Sequence, residues 1–355
     1  MGLFGKDRDL TQPLERVELE VDASALGERV EDVSIRLDIF LARHLKWRSR
    51  SSLKELVRDG WVLVDASTPA LPKGTGELTK ETRSGRRLRH GSRVVVVIPP
   101  ENRQALPTEI DTNLRVLYED EDCVAIEKPA PLAVHPTARY LDDNLLLRVH
   151  AMYSVELKAG VVKPRLCHRL DRETSGVLLV AKRAAAHAEL SRQFEERKVE
   201  KRYLAIVHGV VAGDAGTCDH PIGPSRTSAI RLKMACIADG QACRTDWRVA
   251  QRFDGFTLLE CELFTGRQHQ IRVHLAGLGH SVVGDKLYGD DEQIFERAAD
   301  GELTDADHER LLLGRQALHH QRLAFTSPAT GERVVVESPL PAELQAFLDS
   351  QVRSV

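Results

Sequence analysis

Three observations predict an α+β chain in two parts. The strand-like apolar runs are short and unevenly spaced, without the strict alternation with helices that marks a doubly wound sheet. Apolar residues at helical spacing occupy only a few segments. A stiff, proline-bearing stretch, Pro99-Pro100-Glu101-Asn102-Arg103-Gln104-Ala105-Leu106-Pro107, interrupts the pattern near residue 100. With 355 residues the chain accommodates one large domain and one smaller one. The expected organisation is a polar N-terminal tail over 1–33, a small α/β domain over 34–99, a linker over 100–108 and the main domain over 109–350.

Residues 1–33 are polar and acidic, show no clear period, and read as a loose lead-in. From Arg36 the pattern sharpens, with Leu37, Phe40, Leu41 and Leu45 at helical spacing. Ser52-x-x-Glu55 has the form of a capping box opening a second helix, with Leu53, Leu56 and Val57 facing inward. Gly60 is placed to end that helix. Trp61 to Asp65 and Arg93 to Ile98 read as strands, and the basic stretch from Lys73 between them as a long hairpin loop. Beyond the linker, Cys123 to Glu127, Val177 to Ala181, Arg202 to Val207 and Val334 to Glu337 are strand-like, and Ala184 to Arg197 is helical. Ile271, Leu275 and Leu278 mark a further helix, ended by Gly277 and Gly279.

Composition excludes several classes. Hydrophobic residues at 42% and charged residues at 29% suit a soluble globular chain. The longest apolar runs, such as Val94 to Ile98, are too short to cross a bilayer. Met1-Gly2-Leu3-Phe4-Gly5-Lys6 has no apolar stretch of signal-peptide length, and Lys6 stands where a myristoylation signal wants Ser or Thr. A cytoplasmic location is expected. The six cysteines form no Cys-x-x-Cys pair, so neither a zinc knuckle nor a redox motif is present and reduced thiols are expected.

The net charge of −3 hides an uneven distribution. Seven basic residues between Arg36 and Arg58 (Arg36, Arg43, Lys46, Arg48, Arg50, Lys54, Arg58) face two acids, and seven between Lys73 and Arg93 again face two. The segment from Asp290 to Glu309 carries nine acids against Arg297 alone. A basic N-terminal part on a near-neutral body points to a polyanion held mainly at one end. The bland reading of such runs is a solvated face.

The helix–helix–strand pattern of the first part resembles the small RNA-binding domain named after a ribosomal small-subunit protein, the S-four domain. The matching residues are Arg36-Leu37-Asp38-Ile39-Phe40-Leu41, Ser49-Arg50-Ser51-Ser52-Leu53 and Val57-Arg58-Asp59-Gly60-Trp61-Val62. Asp65-Ala66 stands where the family usually has Asn-Gly. The resemblance implies that Arg36, Arg50, Lys54 and Arg58 face an RNA backbone, contacts that position a protein and carry little sequence information.

The densest chemical cluster is His168-Arg169-Leu170-Asp171-Arg172-Glu173-Thr174-Ser175-Gly176, directly before the apolar strand. Flanking arginines favour an ionised Asp171. Taken alone, such a carboxylate more often closes a turn onto the backbone of Thr174 or Ser175. The wider pattern is more specific. His168-Arg169-Leu170-Asp171 with Thr174-Ser175-Gly176 resembles the signature of RluA-type pseudouridine synthases. Further matches follow in the family's order, at Lys128-Pro129 with Val134-His135-Pro136 and at Lys201-Arg202-Tyr203-Leu204-Ala205. The block from Thr265 to Leu275, with Gly279-His280 and Gly284-Asp285-Lys286-Leu287-Tyr288-Gly289, matches the longest motif. Leu318-His319 with Leu323-Ala324-Phe325 matches the last. The resemblance spans about 114–340. It departs at Pro131, at Gln268 where Thr is usual, and in the acidic stretch after Gly289, which reads as an insertion.

The resemblance implies a pseudouridine synthase fold, a mixed and largely antiparallel sheet with flanking helices. It implies isomerisation of uridine in structured RNA, with large-subunit ribosomal RNA as the expected substrate because family members with such an N-terminal domain generally act there. The reaction breaks a carbon–nitrogen glycosidic bond and rejoins the base through carbon 5. No redox change occurs and no group is added, so no cofactor is expected. A carboxylate must act while water is kept out, since water would turn isomerisation into hydrolysis. By resemblance, Asp171 is that carboxylate, and both covalent attack and an elimination route stay open. Tyr203 stacks on the base and moves a proton, or else only fills a sheet face. Arg272 orients Asp171, with Arg267 as the alternative partner, and Arg169 is the wedge replacing a flipped base.

A metal site is not expected, because His269 and His274 diverge on a helix or strand, as do adjacent His319 and His320 on a strand. No glycine loop completes a dinucleotide or Walker motif, so no nucleotide cofactor is expected. The expected protein is a monomer without membrane contact. Two other classes stand beside the isomerase: a non-catalytic RNA-binding assembly factor, which would not need Asp171, Tyr203 and Arg272 together, and a nucleoside-cleaving hydrolase, which would release free uracil.

Overall fold

Strict alternation decides the first strand. In Arg16-Val17-Glu18-Leu19-Glu20 the apolar residues are buried and the charged ones exposed, the period-two pattern of a half-buried strand. The structure, a computed structural model, describes residues 9–45, 49–100, 103, 107, 109–136, 140 and 142–352. It divides into two compact units, Met1–Thr108 and Glu109–Val355.

The first unit contains strands β1 (Arg16–Glu20), β2 (Ile35–Arg36), β3 (Val62–Asp65), β4 (Thr79–Lys80), β5 (Arg87–Leu88) and β6 (Arg93–Val97). Its helices are α1 (Ala23–Leu26), α2 (Leu37–His44) and α3 (Arg50–Arg58). One sheet has the order β1-β6-β3-β4, and β2 pairs β5. Two expectations are corrected here. Part of the supposed tail is β1, paired along its length with β6, because Val17, Leu19 and Val21 bury into the same core as α2 and α3. The supposed hairpin loop from Lys73 holds β4 and β5, organised by Asp65. That buried carboxylate accepts the backbone N–H groups of Thr75 and Gly76 and pairs with Arg93 at 2.8 Å.

Helix α3 begins one turn earlier than the Ser52 capping box suggests. Ser49 is the cap, its Oγ accepting the Ser52 N–H at 3.2 Å. At the other end Gly60 donates to Val57 O and Trp61 to Leu56 O, the paired bonds of a Schellman stop. Lys46, Arg48, Met1 to Lys6 and linker residues 101–102, 104–106 and 108 lie outside the described residues.

The second unit is built on a ten-stranded, largely antiparallel sheet. Its strands are β7 (Arg115–Glu119), β8 (Cys123–Lys128), β9 (Arg165–Leu166), β10 (Ser175–Ala181), β11 (Glu200–His208) and β12 (Ala215–Cys218), followed, after the separate hairpin of β13 (Ile222–Pro224) and β14 (Met234–Cys236), by β15 (Thr245–Phe253), β16 (Phe256–Leu263), β17 (Leu318–Thr326) and β18 (Arg333–Glu337). The order is β12-β15-β16-β11-β17-β10-β8-β7, with β18 on β17 and β9 on β10. Only the β10–β17 ladder is parallel among the described strands. The α+β class is as the sequence pattern predicts, and the sheet type is as the family resemblance implies.

Helices cover both faces, in chain order α4 (Leu145–Met152), α5 (Ser154–Lys158), α6 (Ala184–Glu195), α7 (Gln270–Gly277), α8 (Gln293–Asp300), α9 (Asp305–Leu311) and α10 (Ala342–Asp349). Val177 and Leu179 of β10 pack with Ala186 and Leu190 of α6. Leu178 and Val180 face the opposite layer, with residues of α4, α7 and α10. Burial on both faces explains why β10 reads as one continuous apolar run. The acidic stretch forms α8 and α9, held together by Arg297, which bonds Asp291 at 3.0 Å and Asp307 at 2.6 Å.

Candidate active site

Asp171 lies on the loop entering β10, and the surrounding chain fixes that loop from several sides. Gly176 makes the entry possible: with φ of +114° and a would-be Cβ only 2.2 Å from His320 O, no other residue fits against β17 there. Buried Lys128 at the end of β8 donates from Nζ to the carbonyls of Pro129, Leu132 and Arg172 at 2.8, 2.9 and 3.0 Å. Burial pulls its pKa down to about 7, and Arg315 adds repulsion. Gln316 donates to Thr174 Oγ1 at 2.6 Å, Arg315 to Glu173 O at 3.1 Å, and Lys286 pairs with Glu173 at 2.8 Å. The loop therefore has little freedom to carry its carboxylate away.

Asp171 does not close its turn with its side chain. Its carbonyl accepts the Thr174 N–H at 3.1 Å, while Oδ2 accepts from Arg272 Nη1 at 2.8 Å. Arg272, on α7, also forks onto Asp285, with Nε to Oδ2 at 2.6 Å and Nη2 to Oδ1 at 2.8 Å. Asp285 is fully buried and accepts the backbone N–H groups of Leu287 and Tyr288 as well. The Tyr288 ring lies 4.9 Å from the guanidinium carbon. One cation thus serves two carboxylates, and its bidentate face is given to Asp285.

The charges set the protonation states. Burial pushes the Asp171 pKa upward, but the charge and hydrogen bond of Arg272 outweigh it, so the carboxyl is held below its ordinary value and is ionised. Tyr203, on β11, is buried with its ring stacked on His320 at 4.3 Å. Burial, then the charge of Asp171, pushes its phenol pKa up. At neutral pH the Tyr203 phenol therefore keeps its proton.

The remaining sequence candidates separate. Arg272, not Arg267, reaches Asp171; Arg267 is exposed and bonds Ala242 O at 3.4 Å. Arg169 is exposed on the loop two residues before Asp171. In the first unit, Arg36 pairs at 3.0 Å with the buried Asp38, which Arg50 approaches to 3.8 Å. Arg58 pairs with Asp59 at 3.0 Å, and Lys54 is exposed on α3. Sequence reasoning misses Asp285, Tyr288 and Lys128 as site residues, although all three stand in the motif blocks quoted above. The available signal is that a buried arginine needs more acceptors than one carboxylate supplies. Among the described residues no cluster of three His, Cys, Asp or Glu side chains is arranged to hold a metal ion, and no helix is long and apolar enough to cross a membrane.

The family model for RNA pseudouridylate synthase matches residues 122–277. The chain is 35% identical over 334 residues to the RNA pseudouridine synthase YlyB of Bacillus subtilis, covering 93% of this chain and 98% of that protein. This chain belongs to the RluA-type RNA pseudouridine synthases. The synthase is also 38% identical over 316 residues to ribosomal large subunit pseudouridine synthase D of Xanthomonas campestris, covering 89% of this chain and 88% of that one. In structure it is similar to human RNA pseudouridylate synthase domain containing 1, with a TM-score of 0.52 and 26% identity over 71% of this chain and 92% of that one. It is an isomerase acting on RNA, and the matched segment contains Asp171, Tyr203 and Arg272.

Proposed function

We propose that this synthase isomerises uridines of large-subunit ribosomal RNA, with Asp171 as the carboxylate acting on the bond between ribose and uracil. The observation that carries the reading is the state of Asp171: ionised, held through Oδ2 by Arg272, and still 21% exposed. Relatives of Xanthomonas campestris, Nitrosomonas europaea and Pseudomonas aeruginosa, named ribosomal large subunit pseudouridine synthase D, support the substrate. The enzyme works as a cytoplasmic monomer without a cofactor. The carbon–nitrogen bond breaks, the uracil turns, carbon 5 bonds the ribose carbon, and the proton leaving carbon 5 is balanced by one gained at the freed nitrogen. Arg169, exposed beside the loop, takes the place of the extruded uridine in the duplex. Mapping pseudouridines in cellular RNA with and without this protein tests the reading. Loss of large-subunit sites supports it, and loss confined to transfer RNA overturns the substrate.

Tyr203 stacks on the base and its protonated phenol supplies or relays a proton. Tyr203→Phe keeps the ring on His320 and removes the hydroxyl, so a single-turnover rate lowered by about 10²-fold or more is expected with RNA affinity retained. An unchanged rate leaves Tyr203 a packing residue.

The first unit supplies affinity by neutralising phosphates. Arg50, Lys54 and Arg58 lie on one short helix, α3, and are exposed. Replacing all three by Gln should flatten the dependence of log affinity on log salt by about 0.7–0.9 for every phosphate no longer neutralised. Single-turnover chemistry at saturating enzyme should be retained. An unchanged salt slope would make this face merely solvated.

A further inference from the structure

His269 stands outside the roles above, and its surroundings are specific. It is the residue before α7, with φ of +57°, a left-handed conformation uncommon for histidine. Three residues later comes Arg272, so both side chains leave neighbouring positions on the same turn. His269 Nδ1 lies 2.8 Å from the Tyr288 hydroxyl, and Nε2 lies 3.9 Å from Asp171 Oδ1, the oxygen that Arg272 does not hold.

Tyr288 sets the direction of its bond to the imidazole. The Met234 backbone N–H, on β14, donates to the Tyr288 oxygen at 2.9 Å. That oxygen is therefore already an acceptor, and its own proton is available for His269 Nδ1. Burial pushes the Tyr288 pKa up, so the phenol keeps that proton. A neutral imidazole accepting at Nδ1 carries its hydrogen on Nε2. The opposite tautomer would aim a lone pair at the Asp171 carboxylate, which is electrostatically unfavourable. The charged groups acting on His269 are Asp171 and Asp285, which favour protonation, and Arg272 and Arg169, which oppose it. Burial, the largest influence, takes its pKa down to about 4, so the ring is neutral at working pH.

We propose that His269 is a positioning residue for the reaction: a neutral imidazole, locked by Tyr288 with its hydrogen on Nε2, that donates to Asp171 Oδ1 as substrate seats. The 3.9 Å separation is too long for a hydrogen bond in the free enzyme, and catalytic contacts commonly tighten only in the substrate complex. Arg272 fixes one oxygen of the carboxylate and His269 aims the other. This rests on the assignment of Asp171 as the acting carboxylate.

The test combines nitrogen-15 NMR of the histidine rings with single-turnover modification of ribosomal RNA. The His269 signals are expected to show a protonated Nε2 and bare Nδ1, without titration between pH values of about 5.5 and 8. Tyr288→Phe keeps the ring against Arg272 and should release the tautomer preference. His269→Ala should slow the single-turnover rate by about 10- to 100-fold, the worth of one hydrogen bond to a charged group, with RNA affinity changed less than about threefold. His269→Gln, which restores an N–H donor, should recover most of that rate. A hydrogen on Nδ1, a His269→Ala rate near wild type, or a Gln variant no faster than Ala overturns the proposal. Asp171→Asn measured alongside separates the two readings: if it turns over normally, the assignment of Asp171 fails. If it is dead while the His269 variants behave as wild type, only the role of His269 fails.

Discussion

Asp171→Asn is expected to stay folded, bind RNA with near-normal affinity and lose turnover by at least about 10⁴-fold. The substitution keeps shape and size and removes the charge. Loss of one essential carboxylate from a catalytic group costs on the order of 10⁴-fold in the best-studied hydrolases. Among the described residues, Asp171 is the carboxylate that is both bonded to Arg272 and partly open to solvent, and its charge reaches Tyr203. Folding survives because Arg272 retains its two bonds to Asp285. The pH dependence has a definite sign. The folded pKa of Asp171 is depressed, so the stability its charge contributes is present above the ordinary value of 3.8 and is lost as pH falls through the lower folded value. In wild type the acid limb of the single-turnover rate should therefore lie below the ordinary carboxylate range. Modification counted by primer-extension stops after chemical labelling of pseudouridine gives the rate, and filter binding gives the affinity. Turnover within about tenfold of wild type would show that the carboxylate does not carry the chemistry.

Much of this site is legible because local sequence already constrains it. The charges around Asp171 and the apolar run after Thr174 are adjacent in the chain, and the motif blocks containing Tyr203 and Arg272 have recognisable spacing. The connections between blocks are not legible. That Arg272 gives its bidentate face to Asp285 depends on how the segment after Val283 returns to α7, which no local pattern reveals. Lys128 is a similar case: its three acceptors are carbonyls of Pro129, Leu132 and Arg172, and backbone carbonyls leave no trace in residue type. Separation along the chain argues against a metal pair at the histidines but does not tell them apart. His274 bonds Thr245 and His220 O as a core residue, while His269 turns to Tyr288 because of its left-handed backbone. Strand β1 is different, since Val17, Leu19 and Val21 do alternate with charged residues. The high acid content of 1–33 masks a pattern that is present.

Arg272→Met should both abolish turnover and destabilise the second unit by about 3–5 kcal/mol, the usual cost of leaving a buried charge without its partner. Arg272 is 8% exposed and Asp285 is fully buried, so solvent cannot replace the guanidinium. With the cation gone, burial, the largest influence, is opposed only by the Leu287 and Tyr288 N–H groups and should raise the Asp285 pKa above the unfolded value. The linkage then changes sign. In wild type the folded pKa of Asp285 is depressed, so its contribution to stability is present above 3.8 and fades as pH falls through the folded value. In Arg272→Met the folded carboxyl binds its proton more tightly than the unfolded one, and stability should instead fall as pH rises through and above 3.8. The difference between the two proteins should be largest near a pH of about 7 and narrow toward about 4. Arg272→Lys should be the milder lesion in stability and still lose at least about 100-fold in rate, because one ammonium cannot reproduce a fork on Asp285 together with a third bond to Asp171. The double variant Arg272→Met with Asp285→Asn separates the effects. Asparagine retains the oxygen that accepts the Leu287 and Tyr288 N–H groups and carries no charge to strand. Urea unfolding should therefore show most of the missing stability recovered, while turnover stays absent because Asp171 still lacks its clamp. A double variant as unstable as Arg272→Met would place the defect in packing against Tyr288, and recovery of turnover would remove Arg272 from the positioning of Asp171.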